Sequence, residues 1–433
     1  MSELPPTWAE STVGECFLDV RNGTTATQNT DGKGLPVSRI ETVQRNQFDL
    51  NRIRHVEGLS AEAIENFRYR PGDIAFSHIN SYEHAGKTAL YYGKPETFIH
   101  GMNLLRLRLG HHQIEPRFAQ LFMQTNFFRE EVRKRVGHAV NQVSINQKSL
   151  AEVPFVVAPL PEQRRIVAKL ETLLGKVDAS QQRLARISVL LKRFRQSVLA
   201  AACSGRLTAD WREENQVDDE WSTAPLSELF AMRNGKSLIA KKRRKGNIPV
   251  YGGNGHMGTH NEANAEGQVI VIGRVGAQCG NVHFVGGKVW VTDNAISLEA
   301  KRKVEPAFYA FFFRSQNLNQ LSAGTGQPYV SQEILGPIET PIVSLHEQQE
   351  IVLRVEGLFA LADQLEERLA RARGQVEKLT PSLLARAFAG QLVPQDPNDE
   401  PASVLLERIR NLTQQDPKKR KATRVRSENR KQL

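Results

Sequence analysis

Cysteine is scarce in this sequence: Cys16, Cys203 and Cys279 are the only three in 433 residues. An odd number at wide spacing builds neither a disulfide framework nor a metal knuckle. No apolar run approaches the ~18–20 residues that a bilayer span requires. The first residues, Met1 to Trp8, lack a basic stretch followed by an apolar one. Neither membrane nor export signal is implied, and a reducing cytoplasm is the expected location. Motifs that carry chemistry are missing too. There is no Asn/Asp-Pro-Pro-aromatic methyltransferase signature, no G-x-G-x-x-G opening a helix after a strand, and no paired His/Cys spacing for zinc. The nearest approach to one is Ser81-Tyr82-Glu83-His84-Ala85-Gly86-Lys87-Thr88. A phosphate loop needs glycine where Ser81 stands, and Leu90-Tyr91-Tyr92 reads as strand, not helix. The segment is expected to be a loop. No catalytic residue, metal site or bound cofactor is assigned to this chain.

What is present begins with charge. The formal net charge is +11, which suits a polyanionic partner. Its distribution tempers that reading: Asp416–Leu433 holds eight Lys/Arg and two acids, so more than half of the excess lies in the last eighteen residues. That tail reads equally as a solvated, partly disordered end or as a nucleic-acid contact.

The dominant feature is an internal repeat. Leu160–Leu207 and Leu345–Leu392 align without gaps at an offset of 185, with 18 of 48 positions identical. The identities include Leu160/Leu345, Glu162/Glu347, Gln163/Gln348, Ile166/Ile351, Asp178/Asp363, Arg183-Leu184-Ala185-Arg186 against Arg368-Leu369-Ala370-Arg371, and Gly205/Gly390. Each copy carries a seam of residues alternating three and four apart. The first seam runs Ile166, Leu170, Leu173, Val177, Ser180, Leu184, Ile187, Leu191, Phe194, Val198. The second runs Ile351, Val355, Leu358, Ala362, Leu365, Leu369, Ala372, Val376, Leu379, Leu383. The shared register predicts two long helices packed on each other, with Leu173, Leu184, Leu191, Leu358, Leu369 and Val376 among the contacts. Pro161 suits a first helical turn, and Gly205 and Gly390 suit helix C-terminal caps. Thr380-Pro381 reads as a break, Thr380 capping a short following helix.

Around these helices lie two larger segments with short apolar runs punctuated by Gly, Asn and Pro, a β-rich pattern. They open alike, with Trp8, Phe17 and Arg21-Asn22-Gly23 against Trp221, Phe230 and Arg233-Asn234-Gly235. They close alike, with Val143-Ser144 against Val330-Ser331, while their middles differ. The expected domains are 1–156 and 214–342 as globules, 157–213 and 343–395 as helical spacers, and 396–433 as a basic C-terminal extension.

The tandem of Pro159-Leu160-Pro161-Glu162-Gln163-Arg164-Arg165-Ile166-Val167 and Ser344-Leu345-His346-Glu347-Gln348-Gln349-Glu350-Ile351-Val352, with Ser197–Leu207 and Ser382–Leu392 closing each copy, resembles the specificity subunits of Type I restriction–modification systems. The match covers roughly residues 5–395, and His346 departs from the family's usual proline. The resemblance implies an α+β fold of two target recognition domains joined by an antiparallel pair of long coiled-coil helices with pseudo-twofold symmetry. It implies that the chain reads a bipartite double-stranded DNA target and docks two modification (methyltransferase) and two restriction (translocase) subunits. Adenine methylation and cleavage, with S-adenosylmethionine, ATP and Mg2+, would then belong to those partners.

Base edges are read by polar side chains and phosphates by Lys, Arg and backbone amides. In the first globule the candidates are Ser77, His78, Asn80, Ser81, Lys87, Asn141, Gln142, Ser144 and Asn146. In the second they are Asn254, His256, Arg274, Gln278, Gln327, Tyr329 and Ser331. Any one could be a solvated loop position; as clusters on corresponding loops they point to DNA. The basic run Lys241, Lys242, Arg243, Arg244 and Lys245 reads either as solvated or as a phosphate clamp. The rival readings are a stand-alone tandem DNA-binding regulator, separable by whether a methyltransferase co-purifies, and an ATP-using enzyme built on residues 81–88.

Overall fold

The computed structural model describes residues 4–82, 84–110, 113–139, 142–217, 221–239, 241, 243–324 and 326–415. It divides into two compact units, Met1–Gln182 with Gly374–Leu433, and Arg183–Arg373. Two 44-residue helices, Leu160–Cys203 and Leu345–Phe388, begin and end at the same offset that relates the sequence repeats. Each ends before a glycine in the left-handed region, Gly205 at φ +73° and Gly390 at φ +72°, where a side chain would be strained. Each unit takes a part of each helix. In the first, Ile166 and Leu170 cluster with Leu384, Ala387 and Phe388. In the second, Leu191 clusters with Ala362 and Leu369, edged by Leu184 and Phe194. Arg195 reaches Asp363 at 2.6 Å, and Arg373 donates to the Leu184 carbonyl at 3.2 Å. Ascending numbers on one helix meet descending numbers on the other, so the helices run antiparallel within each unit.

Two expectations need correction. The seam is not sealed along its length: Ile187, Leu365 and Leu379 are exposed, while Leu173, Leu358 and Val376 are half-buried. A strict heptad drifts by ~20° per repeat on a straight 3.6-residue helix, and a lone pair of helices has no third layer to cover positions that rotate away. Nor does Thr380-Pro381 end the helix, because Pro381 lies inside Leu345–Phe388. Pro381 faces solvent, and the turn beyond it is anchored by Leu384, Ala387 and Phe388 in the first core. Burial of that turn outweighs the local cost of the missing N–H.

Each globule is built on a four-stranded sheet of one topology. In the first unit the order is Phe17–Asn22, Leu104–Leu109, Ile74–Ser77, Thr88–Leu90; in the second it is Phe230–Asn234, Ala295–Ala300, Gln268–Gly273, Val282–Gly286. Strand alternation separates two buried faces. Ile74, Phe76, Leu105 and Leu107 join the core against the long helices, and Ala75 and Leu104 a separate cluster behind. Ile270, Ile272, Ile296 and Leu298 divide from Val269, Val271 and Ala295 in the same way. A three-stranded sheet accompanies each, with central strands Leu35–Ser38 and Ile248–Gly252, each parallel to one neighbour and antiparallel to the other. The repeated Arg-Asn-Gly is explained by close approach. A Cβ on Gly23 would stand 1.9 Å from the Gly101 oxygen, and one on Gly235 2.2 Å from that of Thr292. Of the segment 81–88, His84–Gly86 forms a turn that leads into the strand Thr88–Leu90, and Glu83 lies outside the described residues.

The repeated Glu-Gln pair joins helix to globule. Trp8 Nε1 donates to Glu162 Oε2 at 2.9 Å, and Trp221 Nε1 to Glu347 Oε2 at 3.1 Å. Gln163 Oε1 accepts the Glu115 N–H at 2.8 Å while its amide donates to Ala158; Gln348 does the same with Glu305, at 2.7 Å, and Val343. Glu115 and Glu305 each precede a helix with proline at its first position, Pro116–Phe122 and Pro306–Ser315. Within the segment expected to be a basic extension, Ala402–Gln415 is a helix whose Ala402, Leu406 and Ile409 enter the first core. Residues 416–433, the most basic stretch, lie outside the described residues.

Glu347 also accepts from Thr208 Oγ1 and Arg212 Nη1, both at 2.7 Å. Glu347→Gln presents an amide N–H to one of three donors and removes the charge opposite Arg212. It is expected to cost about 2–3 kcal/mol, seen as a lower urea midpoint by tryptophan fluorescence. Pro381→Ala restores a backbone donor inside the helix and should raise the midpoint, by up to about 3 kcal/mol of stability. A fall would show that the helix depends on the proline.

Candidate nucleic-acid interface

In the first unit the central strand Ile74–Ser77 leaves the four-stranded sheet and the chain forms a new pairing. Ile79 and Asn80 lie opposite Ser144 and Val143, and Gln142–Ser144 pairs in turn with Gly137–Ala139. The Ile145 N–H donates to the His78 carbonyl at 2.9 Å. Asn146 then caps the helix Gln147–Ala151, its side chain accepting the Ser149 N–H at 2.8 Å. Two clusters more than fifty residues apart in sequence thus meet on one ribbon. Ser81, Ser144 and Asn146 are exposed and Asn80 and Lys87 half-buried. Gln142 sits in the ribbon strand; Asn141 lies outside the described residues. Ser77 corrects the sequence reading: it is fully buried, its Oγ accepting from Asn80 Nδ2 at 3.1 Å. It holds Asn80 rather than offering itself to a ligand.

His78 is half-buried, and burial pulls its imidazole down to about 4, against a hydrogen bond to the Asn103 backbone that works the other way. At neutral pH the ring carries no charge, so it can offer hydrogen bonds but no phosphate-binding cation.

The second unit repeats the plan with other residues. Beyond Gln268–Gly273, the Arg274 carbonyl accepts the Val330 N–H at 2.8 Å, Val275 bridges Tyr329, and Ser331 caps Gln332–Leu335. His78 therefore corresponds to Arg274, Ser144 to Tyr329 and Asn146 to Ser331. This revises the sequence pairing of Ser144 with Ser331 by two positions. Gln278, Gln327 and Tyr329 are exposed; Arg274 and Ser331 are half-buried. A Cβ on Gly253 would stand 3.1 Å from the oxygens of Val275 and Asn294. The turn bearing exposed Asn254, and His256 just after it, therefore abuts this ribbon. The basic run packs on the hairpin that carries them: Arg243 Nη1 donates to the Met257 carbonyl at 2.8 Å and the Arg244 N–H to His260 Nδ1 at 3.1 Å. Lys241, Arg244 and Lys245 remain exposed; Lys242 lies outside the described residues. Among the described residues, no three His, Cys, Asp or Glu side chains are grouped to hold a metal, and no helix is long and apolar enough to cross a membrane.

Arg129 and Arg133, which sequence reasoning does not single out, lie half-buried on the helix Asn126–Arg133. The signal was faint: two arginines four apart in an ordinary amphipathic segment.

A family model described as the Type I restriction modification DNA specificity domain matches residues 5–189 and 218–371. The chain is 28% identical over 415 residues to a protein of Methanocaldococcus jannaschii named as the specificity subunit of the type I restriction enzyme MjaX, covering 90% of this chain and 95% of that one. It is 27% identical over 449 residues to the type I restriction enzyme StySPI specificity subunit of Salmonella potsdam, covering 94% and 96%. Among solved structures it resembles one from a study of complex assembly and conformational transition in a type I R-M system (TM-score 0.71, 17% identity, 90% and 100% covered). It also resembles the HsdS subunit of Thermoanaerobacter tengcongensis (TM-score 0.56, 17% identity, 90% and 98% covered). At that identity the likeness is one of fold.

The neutral histidines give a pH test. His100 is fully buried beside Arg106; burial pulls it down to about 3, the charge of Arg106 adding to the effect. Both His78 and His100 have folded values below the ordinary 6.5. Their contribution to stability is therefore complete above about pH 6.5 and is lost as pH falls toward 4 and 3. Urea midpoints should decline across that window, and His78→Asn should flatten the decline; midpoints independent of pH would show that the rings take up protons as readily in the fold as in the unfolded chain.

Proposed function

Because the chain belongs to the type I restriction–modification DNA specificity family, we propose that it reads a two-part DNA sequence, one half with each unit, and carries no catalytic centre of its own. One observation carries this reading. Both units pair the chain just beyond the same central strand, through a ribbon of strands in the first and isolated bridges in the second, held by the same backbone hydrogen bond, yet armed with different side chains: His78, Asn80 and Ser144 in one, Arg274, Gln278 and Tyr329 in the other. One fold used twice with different polar residues suits two different half-sites. Methylation of adenine and DNA cleavage fall to two modification and two restriction subunits, which would hold S-adenosylmethionine, ATP and Mg2+, in the cytoplasm. Val189, Leu190, Leu353 and Leu361, exposed on the long helices, offer apolar surface for such partners.

The test is to express the chain with its host's methyltransferase subunits and map methylated adenines. The expected product is a bipartite motif. Asn80→Ala with Ser144→Ala should relax one half only, and Arg274→Ala the other, each losing about 1–3 kcal/mol of discrimination. A single contiguous motif, or a variant that alters both halves, would sink the two-reader model. A chain with which no methyltransferase subunit co-purifies would favour the stand-alone regulator.

A further inference from the structure

The helix Asn126–Arg133 lies against the loop that follows the first ribbon strand. Thr125 caps it, Phe128 and Val132 bury into the core, and Val132 Cγ1 is 3.8 Å from where a Cβ on Gly86 would stand. Its other face carries Arg129 and Arg133, one turn apart and so adjacent. The Arg133 guanidinium lies over the Tyr82 ring, 5.2 Å from its centre. Neighbouring cations are neutralised: Lys134 and Arg135 both reach Glu131 at 2.6 Å. Arg129 and Arg133 are not. Both are half-buried, and among the described residues neither has a carboxylate within ion-pairing distance. The Nε of each is buried without a hydrogen-bond partner. Burial, and then the like charge of Arg133, push the Arg129 guanidinium below its ordinary value. Arginine nevertheless stays charged. Two half-buried, unpaired guanidinium groups side by side are costly in the free protein, and a shared anion would offset that cost.

We infer that Arg129 and Arg133 grip a phosphodiester of the DNA backbone at the flank of the first ribbon. The claim rests on the DNA-reading function proposed above and adds residues to it. The anion class follows from geometry: planar forks suit phosphate oxygens, and the pair's helix stands beside Tyr82 and Gly86, which follow the strand carrying Asn80. The pair fixes where the duplex lies while the ribbon reads bases, so its contribution is independent of sequence.

The experiment is a salt series of binding by the full-length chain with its methyltransferase subunits, using duplexes that contain or lack the mapped target. Arg129→Gln with Arg133→Gln should weaken binding to both duplexes alike. It should flatten the plot of log K against log salt by about 0.9 per lost contact and leave the methylated motif unchanged. Arg129→Lys with Arg133→Lys keeps the charges and should keep most of the slope. If the double glutamine variant does not fold, Arg133→Gln alone carries the same test with about half the change. An unaltered slope in a folded variant overturns the inference, and a changed half-site overturns it in favour of base reading. Failure of the unmodified complex to prefer the target duplex would instead sink the DNA-reading function itself.

Discussion

A buried carboxylate in the first turn of each long helix ties together stretches of chain that are far apart in sequence. Glu162 receives the indole of Trp8, at the start of the first globule, and the amide of Gln395, beyond the second helix. Glu347 receives Trp221, at the start of the second globule, and Thr208 and Arg212, beyond the first helix. The adjacent glutamine fixes the start of a globule helix, Pro116–Phe122 or Pro306–Ser315, through the backbone of Glu115 or Glu305. Buried acceptors of this kind are costly when unpaired. Each globule must therefore be docked on its helix, with the segment after the other helix in place, before the polar groups are satisfied.

The same arrangement makes the two units depend on both halves of the chain. The first core takes Leu384, Ala387 and Phe388 from the second long helix, and Ala402, Leu406 and Ile409 from the helix that follows. The second takes Val198 and Ala202 from the first long helix. Remove either contribution and a continuous apolar surface opens. Pro381 is tolerated in this setting: the turn after it contributes Phe388, which packs at 5.0–5.1 Å on Phe118 and Phe122. A local loss is outweighed by a tertiary gain.

Helix features were legible in the sequence because helices impose strict spacing. The aligned repeats begin at Leu160 and Leu345, where both helices start, and Gly205 and Gly390 stand two residues past their ends in a backbone conformation that few other residues accept, whereas the break expected at Thr380-Pro381 is absent. Even so, Ile187, Leu365 and Leu379 fall on the apolar seam and yet are exposed, since periodicity cannot report how many helices share a face. The globules were harder. Their middles have little identity, yet their sheets have one strand order, because a buried strand demands only apolar alternation: Ile74/Phe76 and Ile270/Ile272 satisfy it equally well. The misplaced pairing of Ser144 with Ser331 has a similar origin. A capping position accepts Asn or Ser alike, so side-chain identity does not pair Asn146 with Ser331, whereas the backbone bonds at Ile145 and Val330 do. Arg129 and Arg133 left almost no sequence signal, because being unpaired is a property of the fold, not of spacing.

That separation between backbone and side chain suggests how such a surface changes its specificity without losing its fold. At the ribbon, the backbone of residue 78 or 274 is pinned by a main-chain hydrogen bond from 145 or 330, a bond indifferent to the side chain at either end. Beneath it, Ser77 and Gly273 are buried and must stay small or satisfied. Just beyond, His78 and Arg274 differ in size, charge and hydrogen-bonding capacity on the same scaffold. Substitution at the pinned but half-exposed position alters what is offered to a ligand while sparing the sheet, the helix contacts and the carboxylate clasp. Two copies of one frame can therefore diverge in what they present while the residues that hold them together, Trp, Glu, Gln and Gly, stay alike.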